Sequence, residues 1–304
     1  MLIKAELHCH NSFSNFHLGA EEPPYDCCVL IRDQLERART LGLDAIFVTN
    51  HNTLDGYKQM LQYKNDHAKF SGIGIYPAEE VTTDKGAHVL AYGIRDPLPP
   101  GMPLAEIIDA IRGQGGVSSA PHPFSLLDAL REDAAGCDMV EVFNSNNVDI
   151  LSNARAEQFA MENGMTRVVG SDSHVLSTLG RCVNVIHSEN GLDDILHALR
   201  HGRTDIHRIG YANRDETLEH LRYKLNNSRE YVAEYIDRYY PNAKWLLRLL
   251  LRLYDIDQNS PLWGLVYNIC VYAMRCISRK VNFQDLDPAF MRRRDLSTML
   301  FKSF

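Results

Sequence analysis

A series of short apolar runs, each carrying a histidine or an acid at its end, constrains this chain more than any other feature. ELHCH brings His8 and His10, FVTNHN brings His51, PAEEVT brings Glu80 and GAHVLAYG brings His88. APHPF adds His122, and VVGSDSH adds Asp172 and His174. Runs of this length read as buried strands. No packing rule places imidazoles and carboxylates at the ends of successive buried strands. A barrel that gathers them at one mouth does.

The rest of the pattern agrees with such a barrel. Strands are expected at 2–8, 44–50, 116–121, 138–143, 166–170 and 182–187, with a strand pair at 73–83 and 87–94 joined through Asp84-Lys85-Gly86. Helical spacing is read at 26–41, 54–68, 104–112, 125–132, 149–163 and 192–201. Strands alternating with helices imply βα units on a parallel sheet. The expected fold is therefore α/β, a distorted (β/α)7 TIM-like barrel over residues 1–211; the alternative, an open doubly wound sheet, would place ligands mainly at one switch point, whereas here they are spread over almost every strand. Residues 212–304 change character and read as an all-helical C-terminal appendage. There Asn213 to Tyr240 is charged and helical, Lys244 to Leu253 is amphipathic, Pro261 to Lys280 is more apolar, and Arg292-Arg293-Arg294 forms a basic run.

Geometry makes the histidine pairs capable of chelation. Side chains two apart on a strand point the same way, so His8 and His10 share a side, as do Asp172 and His174. Imidazole and carboxylate ligands without thiolate suit zinc, manganese or iron. Glu80 is the expected bridge between two cations, with Glu79 as its alternative. Two such cations can activate water and clamp an in-line displacement at phosphorus. The net charge of −7 fits a small anionic substrate held by metals better than a long nucleic acid, which calls for a basic stripe. Seven cysteines without CxxC spacing read as reduced thiols of a cytoplasmic protein. The N-terminus shows no secretory pattern, and the longest apolar stretch, broken by Asn268 and Arg275, is too short for a membrane span.

HCHNSFSN, TNHNTLDG, PAEEVT, HVLAYG, APHPF, VEVFN and GSDSH, in this order, make the chain resemble the PHP (polymerase and histidinol phosphatase) domain family over roughly residues 4–210. The resemblance implies a distorted seven-stranded barrel with two or three divalent ions for phosphoester hydrolysis. It implies that His8, His10, Glu80 and Asp172 hold one ion, and that Glu80, His88 and His122 hold the second. His51 and His174 would hold the third with one more ligand from the segment after HxH. There the chain departs from the family pattern. Asn15 stands where an acid or a histidine is common, His17 lies nearby, and Asn50 replaces the usual Asp before His51. Either His17 substitutes or the third ion is weaker or absent.

Arg181 is the expected cation for phosphate oxygens that the metals do not hold. His174 is either a ligand or the acid that protonates the leaving alkoxide. Glu141 and Asn144 are expected to orient a ligand histidine or to bind substrate. The remaining histidines, His220 among them, are expected to be structural. The expected function is hydrolysis of a small phosphomonoester by a metal-bridging hydroxide. The alternatives are a phosphodiesterase or exonuclease on short oligonucleotides, and a weakly catalytic binding or regulatory module. The C-terminal helices are expected to pack on the barrel or to join two copies of the chain, rather than to lie on a membrane.

Overall fold

The computed structural model describes residues 1–16 and 24–288. His17 and the basic run Arg292–Arg294 lie outside the described residues. Among the described residues, nine strands form one mixed sheet: β1 (Leu2–Cys9), β2 (Ala45–Val48), β3 (Gly74–Thr82), β4 (His88–Tyr92), β5 (Val117–Ala120), β6 (Met139–Asn144), β7 (Thr166–Gly170), β8 (Val183–His187) and β9 (Thr204–Arg208). Their order is β7-β6-β5-β4-β3-β2-β1-β8-β9. The Cys9–Ser173 bridge draws the end of β1 to the chain just after β7, so the sheet nearly closes into a barrel. The expected α/β barrel is therefore present, with nine strands instead of seven. It is not purely parallel: β3–β4, β4–β5, β1–β8 and β8–β9 pair antiparallel.

Strand alternation fills the barrel. Ile3, Ala5 and Leu7, Ala45 and Phe47, Leu90 and Tyr92, Val117, Met139 and Val168 form one buried cluster. Ile195, Leu196, Ala198 and Leu199 of α5 (Leu192–Arg200) plug this cluster from one end. The next inward positions toward the other end are Glu80, His88, Glu141 and Gly170, so the plug and the polar mouth lie at opposite ends. On β1 the register with β2 shifts between Glu6 and Cys9. Such a bulge re-aims side chains. Leu7 stays in the core, His8 and His10 face the mouth, and Cys9 packs outward with Leu35 of α1 (Ile31–Leu41). The other outer helices are α2 (Asp55–Asn65), α3 (Leu104–Gly113) and α4 (Leu151–Asn163).

Two expected helices are corrected. The helix read at 26–41 begins only at Ile31, and the residues before it run extended along the barrel mouth. Ser12 N donates to Val29 O, and Cys28 N donates to His174 O. The helix read at 125–132 is a loop followed by a short 3-10 turn at Arg131–Gly136. Its leucine spacing is overridden because Asp128 and Arg131 adopt φ of 56° and 54°, outside the helical region.

The C-terminal part is helical as expected: α6 (Arg214–Asn227), α7 (Arg229–Tyr239), α8 (Lys244–Ile256) and α9 (Leu262–Phe283). Leu225, Ile236, Leu251, Tyr254 and Trp263 make its core, whereas Trp245 is exposed. These helices dock on the barrel. On α9, Asn282 donates to Phe124 O and accepts from Arg131. At the start of α6, Ala212 N donates to Ser145 O, and a capping box between Asn213 and Glu216 fixes the first turn. None of the seven cysteines is paired. Among the described residues, no helix is long and apolar enough to cross a membrane.

Candidate metal centre

The strand-end side chains converge on Glu80. Its Oε1 lies 3.0 Å from His88 Nδ1 and 3.1 Å from His122 Nε2. Its Oε2 lies 3.4 Å from His8 Nε2, 3.3 Å from His10 Nε2 and 3.3 Å from His51 Nδ1. One buried carboxylate thus presents each oxygen to a different set of imidazoles, the arrangement a bridging ligand needs. Glu79 points the other way along β3, where Oε2 accepts from Leu98 N. Asp172 Oδ1 completes the group on the His8 side, 3.4 Å from His8 Nε2 and 3.3 Å from His10 Nε2. His122 and Asp172 have φ of 31° and 48°. Strained backbone of this kind is held where the surroundings over-determine it.

Asp26 is the residue that the sequence reading missed. Its Oδ1 lies 3.3 Å from His174 Nε2 and 3.8 Å from His51 Nε2. It therefore occupies the place that Asn15 or His17 was expected to fill. Asn15 is spent on the backbone: its side-chain oxygen accepts from Asp26 N at 2.7 Å and Cys27 N at 2.9 Å, and its amide donates to Cys27 O and Tyr223 Oη. Asn15 holds Asp26 in position and does not face the imidazoles. Asn50 likewise pairs with Asn11 and faces away. Across the site, three groups have ligand atoms within 4.8 Å of one another: His8, His10, Glu80 and Asp172; His51, Glu80 and His88; and His10, Asp26, His51 and His174.

A second set of contacts orients the imidazoles. His8 Nδ1 donates to Glu141 Oε1 at 2.9 Å, which leaves Nε2 for the centre. Glu141 Oε2 accepts from His122 N and Asn144 Nδ2, and Asn144 also donates to Asp172. His174 Nδ1 donates to Asp172 O, and its Nε2 turns to Asp26 Oδ1 at 3.3 Å. Gly170 makes room for this arrangement: a methyl group there would lie 1.8 Å from Glu141 Oε1 and 2.6 Å from His8 Cβ.

Charge coupling is strong. Burial pushes the Glu80 carboxyl up, but His88, His51 and His8 outweigh it and hold the group well below the usual range. Asp172 and Asp26 are also held low against burial, the first mainly by His8 and the second by His174. Burial pushes His51 well below its ordinary value, whereas His174 rises to about 9 because Asp26 outweighs burial. The donor set fits divalent cations. It is all nitrogen and oxygen, and Asp26 Oδ2 is buried without a hydrogen-bond partner.

The site opens into a cavity of about 380 Å³. The C-terminal helix α6 forms one wall through Glu216, Thr217, His220 and Lys224. His220 stacks on His174 at 5.0 Å, and its Nε2 donates to Asp26 O at 2.6 Å. It is thus a neighbour of the site, which its sequence did not signal. Arg181 is not brought to the cavity; its guanidinium pairs with Glu216. A second cavity of about 710 Å³ adjoins the first at Ser125, Leu127 and Asp128.

Residues 151–204 match a family model described as PHP-associated. An uncharacterized protein of Methanocaldococcus jannaschii is 28% identical over 162 residues, covering 50% of this chain and 87% of that one. A second from the same organism is 30% identical over 126 residues, covering 38% and 53%. Three solved structures share the fold. A two-domain protein from Bacteroides vulgatus, containing a predicted PHP-like metal-dependent phosphoesterase, superposes with a TM-score of 0.54 at 17% identity over 73% of this chain and 69% of that one. PsfC from Pseudomonas syringae gives 0.53 at 16% over 74% and 98%. The lesion-specific endonuclease PfuEndoQ from Pyrococcus furiosus gives 0.51 at 17% over 68% and 58%. The chain shares the fold of these three proteins. The resemblance to the PHP family drawn from its motifs is shown, with the PHP-associated segment spanning α4 to the start of β9.

Proposed function

We propose that this protein is a metal-dependent phosphoesterase that hydrolyses a small phosphomonoester. The observation that carries the reading is the placement of Glu80, whose two oxygens face five imidazoles at the floor of a cavity of about 380 Å³. A site of this volume takes a phosphate with a compact organic group. His8, His10, Glu80 and Asp172 would hold one ion, and Glu80, His88 and His122, with His51 alongside, a second. Asp26, His51 and His174 would hold a third. Zinc, manganese or iron suits these donors. When bound, such ions supply Lewis-acid polarisation of phosphoryl oxygens and acidify water.

The chain's own groups do the positioning. Glu141 fixes the His8 ring and the His122 backbone, and Asn144 ties Glu141 to Asp172. With Nδ1–H given to Asp172 O, His174 aims Nε2 at Asp26; it would give up its Nε2 proton on holding a cation there, so His174 serves as a ligand in preference to an acid. The wall from α6 limits how far a chain-like substrate extends past the site.

The test is turnover of protein reconstituted with Mn²⁺ or Zn²⁺ on a mononucleotide and on a short oligonucleotide, assayed side by side. Release of phosphate from the mononucleotide supports the reading. Cleavage confined to the oligonucleotide replaces it with a phosphodiesterase, and no hydrolysis of either favours a binding module.

A further inference from the structure

The metal centre accounts for the acids and imidazoles of the cavity but not for Lys224. Among the described residues that line the cavity, Lys224 is the one lysine or arginine. Glu216, His220 and Lys224 recur every four residues, so α6 turns one face to the site. The Lys224 ammonium lies 4.4 Å from the centre of the Tyr25 ring, the residue before Asp26. It makes no ion pair with a described residue. Arg181, the other candidate cation, is neutralised by Glu216. This partly buried ammonium rests on an aromatic face at the cavity wall; Asp26 and Asp172 act on it through space, but neither closes an ion pair with it.

We propose that Lys224 is a substrate-binding residue that takes a terminal oxygen of a phosphate dianion, and so selects phosphomonoesters over diesters. This rests on the phosphoesterase reading above. A monoester phosphate carries roughly two negative charges and three terminal oxygens. With the floor residues around Glu80 holding cations, some phosphate oxygens would face the floor and a further one would be left for a donor on the wall. A diester has lost that oxygen to its second ester bond and carries less charge, so it gains less from the lysine. The ammonium is a point charge that accepts any approach of the oxygen, which suits a wall residue. The α6 helix thereby links the C-terminal region to substrate choice.

The test uses the full chain loaded with Mn²⁺: wild type, Lys224→Met, which keeps an apolar stem over Tyr25, and Lys224→Arg, which keeps the charge. Inorganic phosphate is titrated by calorimetry, cation content is measured on the same samples, and kcat and KM are taken on p-nitrophenyl phosphate and bis-p-nitrophenyl phosphate. Circular dichroism confirms that each variant is folded. Loss of one charge-assisted hydrogen bond predicts phosphate binding weaker by ~10-fold or more in Lys224→Met. KM for the monoester rises in step, the diester changes by less than about threefold, cation content is unchanged, and Lys224→Arg recovers most of the binding. Wild-type phosphate affinity in Lys224→Met overturns the proposal. So does loss of cations from that variant, an equal loss on both esters, or a wild type that binds no phosphate. If the wild type turns over neither ester yet its phosphate binding still depends on Lys224, the phosphoesterase reading falls and the anion site stands.

Discussion

Substituting Gly170 by alanine tests how the centre is held. The new methyl would lie 1.8 Å from Glu141 Oε1, 2.9 Å from its carboxyl carbon and 2.6 Å from His8 Cβ. Ordinary heavy-atom contacts sit near ~3.5 Å, so the carboxylate must retreat by about 1.5 Å or more. That retreat breaks its 2.9 Å bond from His8 Nδ1 and strains its 2.8 Å bond from His122 N. His8 Cβ is close to the backbone and cannot yield cheaply. Orphaning buried donors costs ~1–3 kcal/mol each, and overpacking adds ~1–3 kcal/mol. We therefore expect a stability loss of roughly 2–5 kcal/mol in thermal denaturation and cation affinity lower by ~10–100-fold in chelator competition. Gly72→Ala is the control, because nothing lies within 4 Å of a methyl there. Glu141→Gln removes the charge without the steric clash, but its NH2 must face either His8 Nδ1 or the His122 N and Asn144 donors, so it should lose affinity with a stability loss of ~1–3 kcal/mol and no overpacking cost. A Gly170→Ala protein that binds cations like the wild type would refute the claim that Glu141 sets the His8 ring.

Three further outcomes follow from the same geometry. Asp26→Asn should lower the number of tightly bound cations by one by mass spectrometry of the metal-loaded protein, and Asn15→Ala should weaken the same ion because Asn15 holds Asp26 N; unchanged stoichiometry in Asp26→Asn removes Asp26 from the ligand set. Arg181→Gln should retain most activity, since Arg181 does not line the cavity, and lose ~1–3 kcal/mol of stability, since its partner Glu216 is buried and keeps only a neutral donor. A loss of activity as large as that of a ligand variant would return Arg181 to the substrate site. Stripping the cations with a chelator should lower stability by ~2.7 kcal/mol or more relative to protein held at a hundredfold excess over the dissociation constant. A melting temperature indifferent to chelator speaks against a resident ion.

Much of the site was legible in the sequence, because ligands at strand ends obey strand geometry. His8, His10, Glu80, His88, His122 and Asp172 meet because alternate side chains on neighbouring strands point into one barrel. Asp26 escaped notice for a tertiary reason. Val29, Leu30, Leu35 and Ala38 have helical spacing, and that spacing was read back to residue 26. Asn15 and the His174 carbonyl instead hold the chain extended there. The Pro23-Pro24 pair just before was the available signal that the helix starts later. The helix expected at 125–132 gives way to a loop for a similar reason, since the contacts of Phe124 and Arg131 to Asn282 come from a helix more than a hundred residues away. The contribution of His220 and Lys224 has no local signature either. Their role depends on where α6 docks, which the backbone bond at Ala212 and the contacts of α6 with Asn15, Asp26 and Arg181 decide. β9 was not anticipated because TDIHR is short, polar and mostly exposed.

The claim that Glu80 bridges the cations is tested most directly by counting them in wild type and Glu80→Gln alongside turnover of a phosphomonoester. The neutral amide keeps the shape of the side chain and removes the charge that two of the three ligand groups share. The wild type should hold two or three cations per chain, one for each ligand group filled, and release phosphate. Glu80→Gln should fall below two and lose activity by a factor of ~10² or more. A Glu80→Gln protein with unchanged cation content and full turnover would contradict the account.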